Sequence, residues 1–137
     1  MKLLSRSQKK CVLIVSIIFF IAAFAIELVG ISLEMYVYAN TPFHIFDVPL
    51  TIIVYWIVIA HTSWVTYKKF GWIVGLLTGI IIDLPIEFLA FHLGWWTWIP
   101  SWTPAIFFNA PVANFLVYLS VSFGSILIYR YIMKPKT

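Results

Sequence analysis

The sequence predicts an all-α, polytopic membrane protein with about four transmembrane helices. Of the 137 residues, 63% are hydrophobic and only 10% are charged, whereas about a quarter of the residues in a soluble domain are charged. A chain of this size cannot hide so much apolar surface from water, so we expect one integral membrane domain over residues 1–137. Each crossing needs about 20 residues. Four apolar runs satisfy this, at approximately residues 12–34, 48–67, 71–91 and 111–132.

The first apolar run follows a basic N-terminal segment that holds Lys2, Arg6, Lys9 and Lys10. A signal peptide has the same outline, and residues 23–25 resemble a cleavage site. The run is long for a signal peptide, so we favour a retained transmembrane helix. Glu27, Gly30 and Glu34 then share one face of that helix.

A polar and aromatic connection, residues 36–46, leads to the second run. Asp47 followed by Pro49 is typical of a helix start, with the aspartate as N-cap and the proline in the first turn. The helix that follows carries Trp56 and His61. We interpret His61 as a hydrogen-bonded core histidine rather than a proton carrier.

The third run, residues 71–91, has the most informative pattern. Every fourth residue lies on one stripe of a helix. That stripe consists of Gly71, Gly75, Gly79, Asp83 and Glu87. Glycines allow a neighbouring helix to approach closely, so the stripe predicts a helix contact that ends in two carboxylates. Pro85 stands between the two acids and removes a backbone donor, which predicts a kink there.

A tryptophan-rich loop and a last helix complete the chain. The loop contains Trp95, Trp96, Trp98 and Trp102, which we interpret first as anchors at the membrane–water interface. The last helix begins near Pro111 and carries Asn114 and Tyr118 near one face. We identify no linker, internal repeat or low-complexity segment.

The basic residues predict the orientation. Four crossings put both termini and the Lys68–Lys69 loop on one side of the membrane, and all nine Lys and Arg residues lie on that side. The positive-inside rule then places both termini in the cytoplasm, with the chain in the cell membrane. The net charge of +4 is explained by this arrangement, so no nucleic-acid partner is expected.

The same arrangement places all five carboxylates in the outer half of the membrane. They are Glu27, Glu34, Asp47, Asp83 and Glu87. Intramembrane carboxylates are costly and by default indicate function. Since several negative charges are unfavourable together in a dry site, at least one group is expected to keep its proton, giving an acid beside a base. Asn114 lies near the same level.

Metal and redox chemistry have little support in the sequence. The single cysteine, Cys11, cannot form an intrachain disulfide. The acids and histidines match no metal-ligand spacing, so we predict no metal.

Several short motifs occur in a characteristic order between Glu27 and Tyr118. They are Glu27-x-x-Gly30, the Tyr36/Tyr38 pair, Val48-Pro49-Leu50 with Trp56, Asp83-Leu84, Gly94-Trp95-Trp96-x-Trp98, and Ala110-Pro111-Val112-x-Asn114-Phe115. In this order the chain resembles the membrane carotenoid biosynthesis proteins, which include the carotenoid 1,2-hydratases of the bacterioruberin pathway. Two departures stand out, since those proteins are longer and Glu87-Phe88 replaces an aspartate–proline pair. A homo-oligomer or a partner membrane subunit could therefore complete the pocket.

The resemblance implies hydration of a terminal double bond in a lipid-soluble, acyclic polyene dissolved among the membrane lipids. Under it, Asp83, Glu87 and Glu27 are the catalytic candidates and no cofactor is required. Its substrate-binding candidates are Asn114, Tyr118, Trp95, Trp96, Glu34 and Trp56.

Two other functions fit the same residues. A small channel or transporter would use the outer carboxylates to bind a proton or a cation. A non-catalytic membrane subunit or pigment-binding scaffold would use them to pair with a partner.

Overall fold

The computed structural model describes residues 5–39, 41–99 and 104–133. Its four helices are α1 (Arg6–Ser32), α2 (Leu50–Phe70), α3 (Trp72–Leu93) and α4 (Val112–Ile132). Each is long and apolar enough to cross a membrane. The predicted all-α, four-helix membrane protein is confirmed.

Local signals in the sequence set the helix ends. α1 begins before the predicted Val12, because Ser5 and Gln8 form a capping box. α2 and α3 are separated only by Gly71, whose φ of 86° reverses the chain. α3 continues through Pro85 and ends at Gly94, which adopts the left-handed conformation common after helices.

The predicted start of the second helix is wrong. Pro49 is the N-cap of α2, and no side chain caps the helix. Asp47 instead occupies a tight turn before it, with a positive φ of 64°. Aspartate tolerates this left-handed conformation better than most residues, so the turn explains the residue.

Short strands order the two connections that lie at one end of the bundle, called here the hairpin end. They are β1 (Tyr36–Tyr38), β2 (His44–Ile45) and β3 (Val48–Pro49), then β4 (Trp96–Trp98), β5 (Ala105–Phe107) and β6 (Ala110–Pro111). β2 pairs with β3, β5 pairs with β6, and β1 pairs with β4 across the molecule.

The element order reveals an internal repeat that the sequence interpretation missed. α1–β1–β2–β3–α2 and α3–β4–β5–β6–α4 are two halves with the same order of helices and strands. In the antiparallel β1–β4 pair, Tyr36 lies opposite Trp98 and Tyr38 opposite Trp96. The first residue of each strand thus lies opposite the last residue of the other, so an approximate two-fold axis passes between Val37 and Thr97.

The glycine stripe of α3 packs as predicted at two of its three positions. A Cβ atom on Gly79 would lie 2.5 Å from the backbone oxygen of Tyr118 in α4, and one on Gly75 would lie 2.7 Å from Tyr67 Cβ in α2. Both positions therefore need glycine for close helix contact. Gly71 has open space around it, so its role in packing was predicted wrongly.

Candidate active site

Glu27 is buried near the end of α1 and is held by two tyrosines. The hydroxyls of Tyr36 and Tyr38 donate to Glu27 Oε2 at 2.7 and 2.6 Å. Burial first, and then the nearby Glu27 charge, raise the pKa of both tyrosines above its usual value. The two hydroxyls therefore stay protonated and remain donors.

Glu87 occupies the equivalent position near the end of α3. The indole nitrogens of Trp96 and Trp98 donate to Glu87 Oε2 at 3.3 and 3.1 Å. In each half the glutamate precedes its two aromatic donors by nine and eleven residues. The same site is therefore built twice, with tyrosine donors in one half and tryptophan donors in the other.

Asp83 and Asn114 belong to the second half alone. Asn114 Nδ2 donates to Glu87 Oε1 at 2.8 Å and to Asp83 Oδ2 at 3.1 Å. Ala23 stands one helical turn before Glu27, where Asp83 stands before Glu87. Only one half therefore carries a coupled carboxylate pair, so the two glutamates have different surroundings.

Both glutamates line one cavity at the hairpin end. Its volume is about 140 Å³, and its lining includes Trp56, Trp96, Asn114 and Tyr118. Asp83 is fully buried behind this lining. It accepts a hydrogen bond from Asn114, which lines the cavity. The cavity is thus an apolar space with two carboxyl groups in its wall.

Among the described residues, the hydrogen-bond donors to these carboxylates are all neutral. They are tyrosine hydroxyls, indole N–H groups and one amide. The exposed fractions of Glu27, Asp83 and Glu87 are 5%, 0% and 2%. Three uncompensated negative charges in so dry a site would be strongly unfavourable, which favours shared protons and suits transfer of a proton to a substrate.

Two predicted site residues lie apart from this cavity. Glu34 follows the end of α1 with a φ of 52° and is exposed in a separate surface pocket with His44 and Asp47. Trp95 contacts the ring of Trp96 but does not line the cavity. The helix assumed to reach Glu34 ends at Ser32, so the expected common face with Glu27 does not exist.

Four aromatic residues of the site were not predicted as site residues. Tyr36 and Tyr38 were noted only for the resemblance, Trp98 was interpreted as an interface anchor, and Tyr55 was not singled out. Tyr55 donates to Asp83 at the long distance of 3.5 Å. The sequence signal for Tyr36, Tyr38 and Trp98 was the repeated spacing of aromatic residues nine and eleven positions after Glu27 and Glu87.

His61 lies apart from the carboxylates in a second polar cluster. Its Nε2 is 2.9 Å from Ser16 Oγ, and its Nδ1 contacts the Tyr129 hydroxyl. The predicted hydrogen bonding of His61 is confirmed, but the side chain is half-buried and does not belong to the core. Among the described residues, no group of three His, Cys, Asp or Glu side chains could hold a metal ion.

Comparisons with known proteins add no assignment to this geometry. No protein family, curated protein or solved structure matches the chain. The functional interpretation therefore depends on the carboxylates, their donors and the cavity between the two halves.

Proposed function

We propose that this protein is a membrane-embedded enzyme that adds water to a terminal double bond of an acyclic polyene. The observation that carries the proposal is that Glu27 and Glu87 face one small apolar cavity, with Asp83 coupled to Glu87 through Asn114. The sequence resemblance to carotenoid 1,2-hydratases supports the same chemistry.

The reaction has two proton transfers. A protonated carboxyl group of the site gives its proton to the terminal double bond, which leaves a tertiary carbocation and a carboxylate. Water adds to the cation, and its surplus proton passes to a carboxylate. The product has gained one water, and the site recovers its starting protonation without a cofactor.

The cavity lining suits the cationic intermediate. Trp56 and Tyr118 lie with ring centroids 5.9 Å apart in the cavity wall, and aromatic faces attract a nearby cation. The neutral donors Trp96 and Trp98 fix Glu87 in place. Because the lining is otherwise mostly apolar, a water in the cavity would be held by the few polar groups in its wall.

Amide variants of the carboxylates test the reaction. Asp83→Asn, Glu87→Gln and Glu27→Gln retain size but lose the transferable proton, so hydration should fall by at least the roughly 100-fold that positioned acid–base groups contribute. Glu34→Gln is the matched control, since Glu34 is exposed outside the cavity. The assay is expression in a host that makes acyclic polyenes, with mass analysis for the gain of one water. No hydrated product from the wild type would refute the proposal.

The same variants separate the other two functions. A channel predicts loss of conductance in vesicles and no hydrated product from any form. A scaffold predicts an unchanged pigment or partner in the folded amide variants.

We also propose that both termini face the cytoplasm, because all nine basic residues then lie on that side. In a Cys11→Ala background, Thr41→Cys and Ser101→Cys should react with an impermeant thiol reagent from outside the cell. Ser101 lies outside the described residues, so Thr41 is the position that the structure places at the hairpin end. If the cysteines react only after the membrane is permeabilised, both termini face the outside and the proposed orientation is wrong.

A further inference from the structure

The two halves pack against each other unequally. Under the approximate two-fold axis, the seam between α1 and α4 is equivalent to the seam between α3 and α2. α3 packs along both α2 and α4, whereas α1 packs along α2 and meets α4 over only a short stretch. One of two equivalent seams is therefore closed and the other is open.

The carboxylate cavity is too small for a whole polyene. At about 140 Å³ it resembles cavities that hold one benzene-sized group. A terminal branched unit of a polyene fits this space, and the rest of the chain must lie elsewhere.

A groove of about 310 Å³ lies in the open seam directly beside the cavity. Phe19, Ala22 and Ile26 of α1 line one side, and Leu116 and Val117 of α4 line the other. From Phe19 to Ile26 the helix rises about 10 Å. The groove can therefore receive about 10 Å of an apolar chain.

The groove and the cavity are adjacent and share part of their lining. Ile26, Trp56 and Val117 line both. Trp56 is 2% exposed, and its indole ring stands beside the Glu27 carboxylate. Its side chain is therefore part of the wall that the groove shares with the carboxylate end of the cavity.

We infer that the α1–α4 seam is the lateral access route and the binding groove for the chain of a lipid-dissolved polyene. The reacting end lies against Glu27 and Glu87, and the chain runs along α1 through the seam toward the middle of the bilayer. This inference rests on the proposed function for the identity of the polyene.

Thiol protection tests where the chain binds. Ala22 lines the groove, whereas Ala25 is exposed on α1 outside it, so Ala22→Cys and Ala25→Cys form a matched pair in a Cys11→Ala background. In detergent micelles, the acyclic polyene lycopene at about ten times its Kd should slow alkylation by N-ethylmaleimide about tenfold for Ala22→Cys. The rate for Ala25→Cys should not change. Equal rates with and without lycopene at both positions would overturn the inference.

Blocking the seam gives a second readout. Ala22→Trp fills the groove and should weaken lycopene retention, measured from the visible absorption of the purified protein, by at least about tenfold. Ala25→Trp should retain the pigment like the wild type. Ala22→Cys could also be protected in the absence of lycopene. If this protection disappears when the protein is diluted, a second copy of the chain occupies the seam, and the inference is overturned.

The two proposals fail separately. If lycopene protects Ala22→Cys and no polyene gains water, the seam is a polyene site and the hydratase assignment is wrong. If water is added and Ala22→Trp behaves like Ala25→Trp, the reaction stands and the seam is not the binding groove.

Discussion

At the scale of single residues, the donors decide how each carboxylate can act. Glu27 Oε2 accepts from two hydroxyls, and Glu87 Oε2 accepts from two indoles. Hydroxyls can accept as well as donate, whereas an indole N–H can only donate. The two tyrosine hydroxyls can therefore donate to an ionised Glu27 or accept from a protonated one. The two indole N–H groups can only donate, so Glu87 Oε2 must act as an acceptor.

Removing one hydroxyl should reveal this coupling. Tyr36→Phe leaves a buried carboxyl group with one donor fewer, so the free energy of unfolding should fall by about 1.5–3 kcal/mol. In a Glu27→Gln background the same change should have a smaller effect, because the carboxyl partner is gone. Chemical unfolding in detergent measures both differences.

Tyr131→Phe is the control for that experiment, since Tyr131 is 77% exposed. Equal losses from Tyr36→Phe in the two backgrounds would show that the hydroxyl does not act through Glu27.

At the scale of helices and strands, sequence patterns predicted the parts that depend on local periodicity. The four apolar runs gave the helices, and the four-residue spacing correctly placed Gly75, Gly79, Asp83 and Glu87 on the buried face of α3. The role of Asp47 was predicted wrongly because an aspartate shortly before a proline and an apolar run is typical both of a helix N-cap and of a turn that precedes a helix. Glu34 was misread because the end of α1 depends on the strand that follows it.

The close contact of α3 with α4 gives a prediction at this scale. Gly79→Leu should lower the free energy of unfolding in detergent by roughly 1–3 kcal/mol, since a side chain there would strike the Tyr118 backbone. Gly75→Leu should do the same through Tyr67.

Gly124→Leu is a matched control, because a Cβ atom there meets nothing within 4 Å. Equal stability of Gly79→Leu and Gly124→Leu would mean that α3 and α4 do not make this contact.

At the scale of the whole molecule, the protein consists of two halves with the same element order and the candidate site between them. The repeat was hard to predict because the equivalent residues are chemically related rather than identical. Tyr36 and Tyr38 correspond to Trp96 and Trp98, and Val48-Pro49 corresponds to Ala110-Pro111. The two halves pair through contacts between residues far apart in the sequence, and local periodicity carries no information about such contacts.

The asymmetry between the halves accounts for the site. A perfectly symmetric pair would offer two equivalent glutamates and two equivalent seams. Asp83 and Asn114 distinguish the environment of Glu87 from that of Glu27, and the α1–α4 seam is open where the α2–α3 seam is closed. The proposed hydration would use this difference to give the two glutamates separate acid and base roles.

The two-fold pairing of β1 with β4 makes a prediction for the whole molecule. Val37 and Thr97 lie opposite each other and are exposed, and directly opposed residues have Cβ atoms about 4.5–5.5 Å apart, near the spacing that a disulfide needs. In a Cys11→Ala background, Val37→Cys with Thr97→Cys should therefore form an intrachain disulfide on mild oxidation. Cleavage between α2 and α3 should then leave two fragments that separate only after reduction. Val37→Cys with Ile106→Cys, a residue of the separate β5–β6 hairpin, should leave the fragments unlinked. If both pairs link equally well, the halves do not meet through β1 and β4, and the shared cavity loses its structural basis.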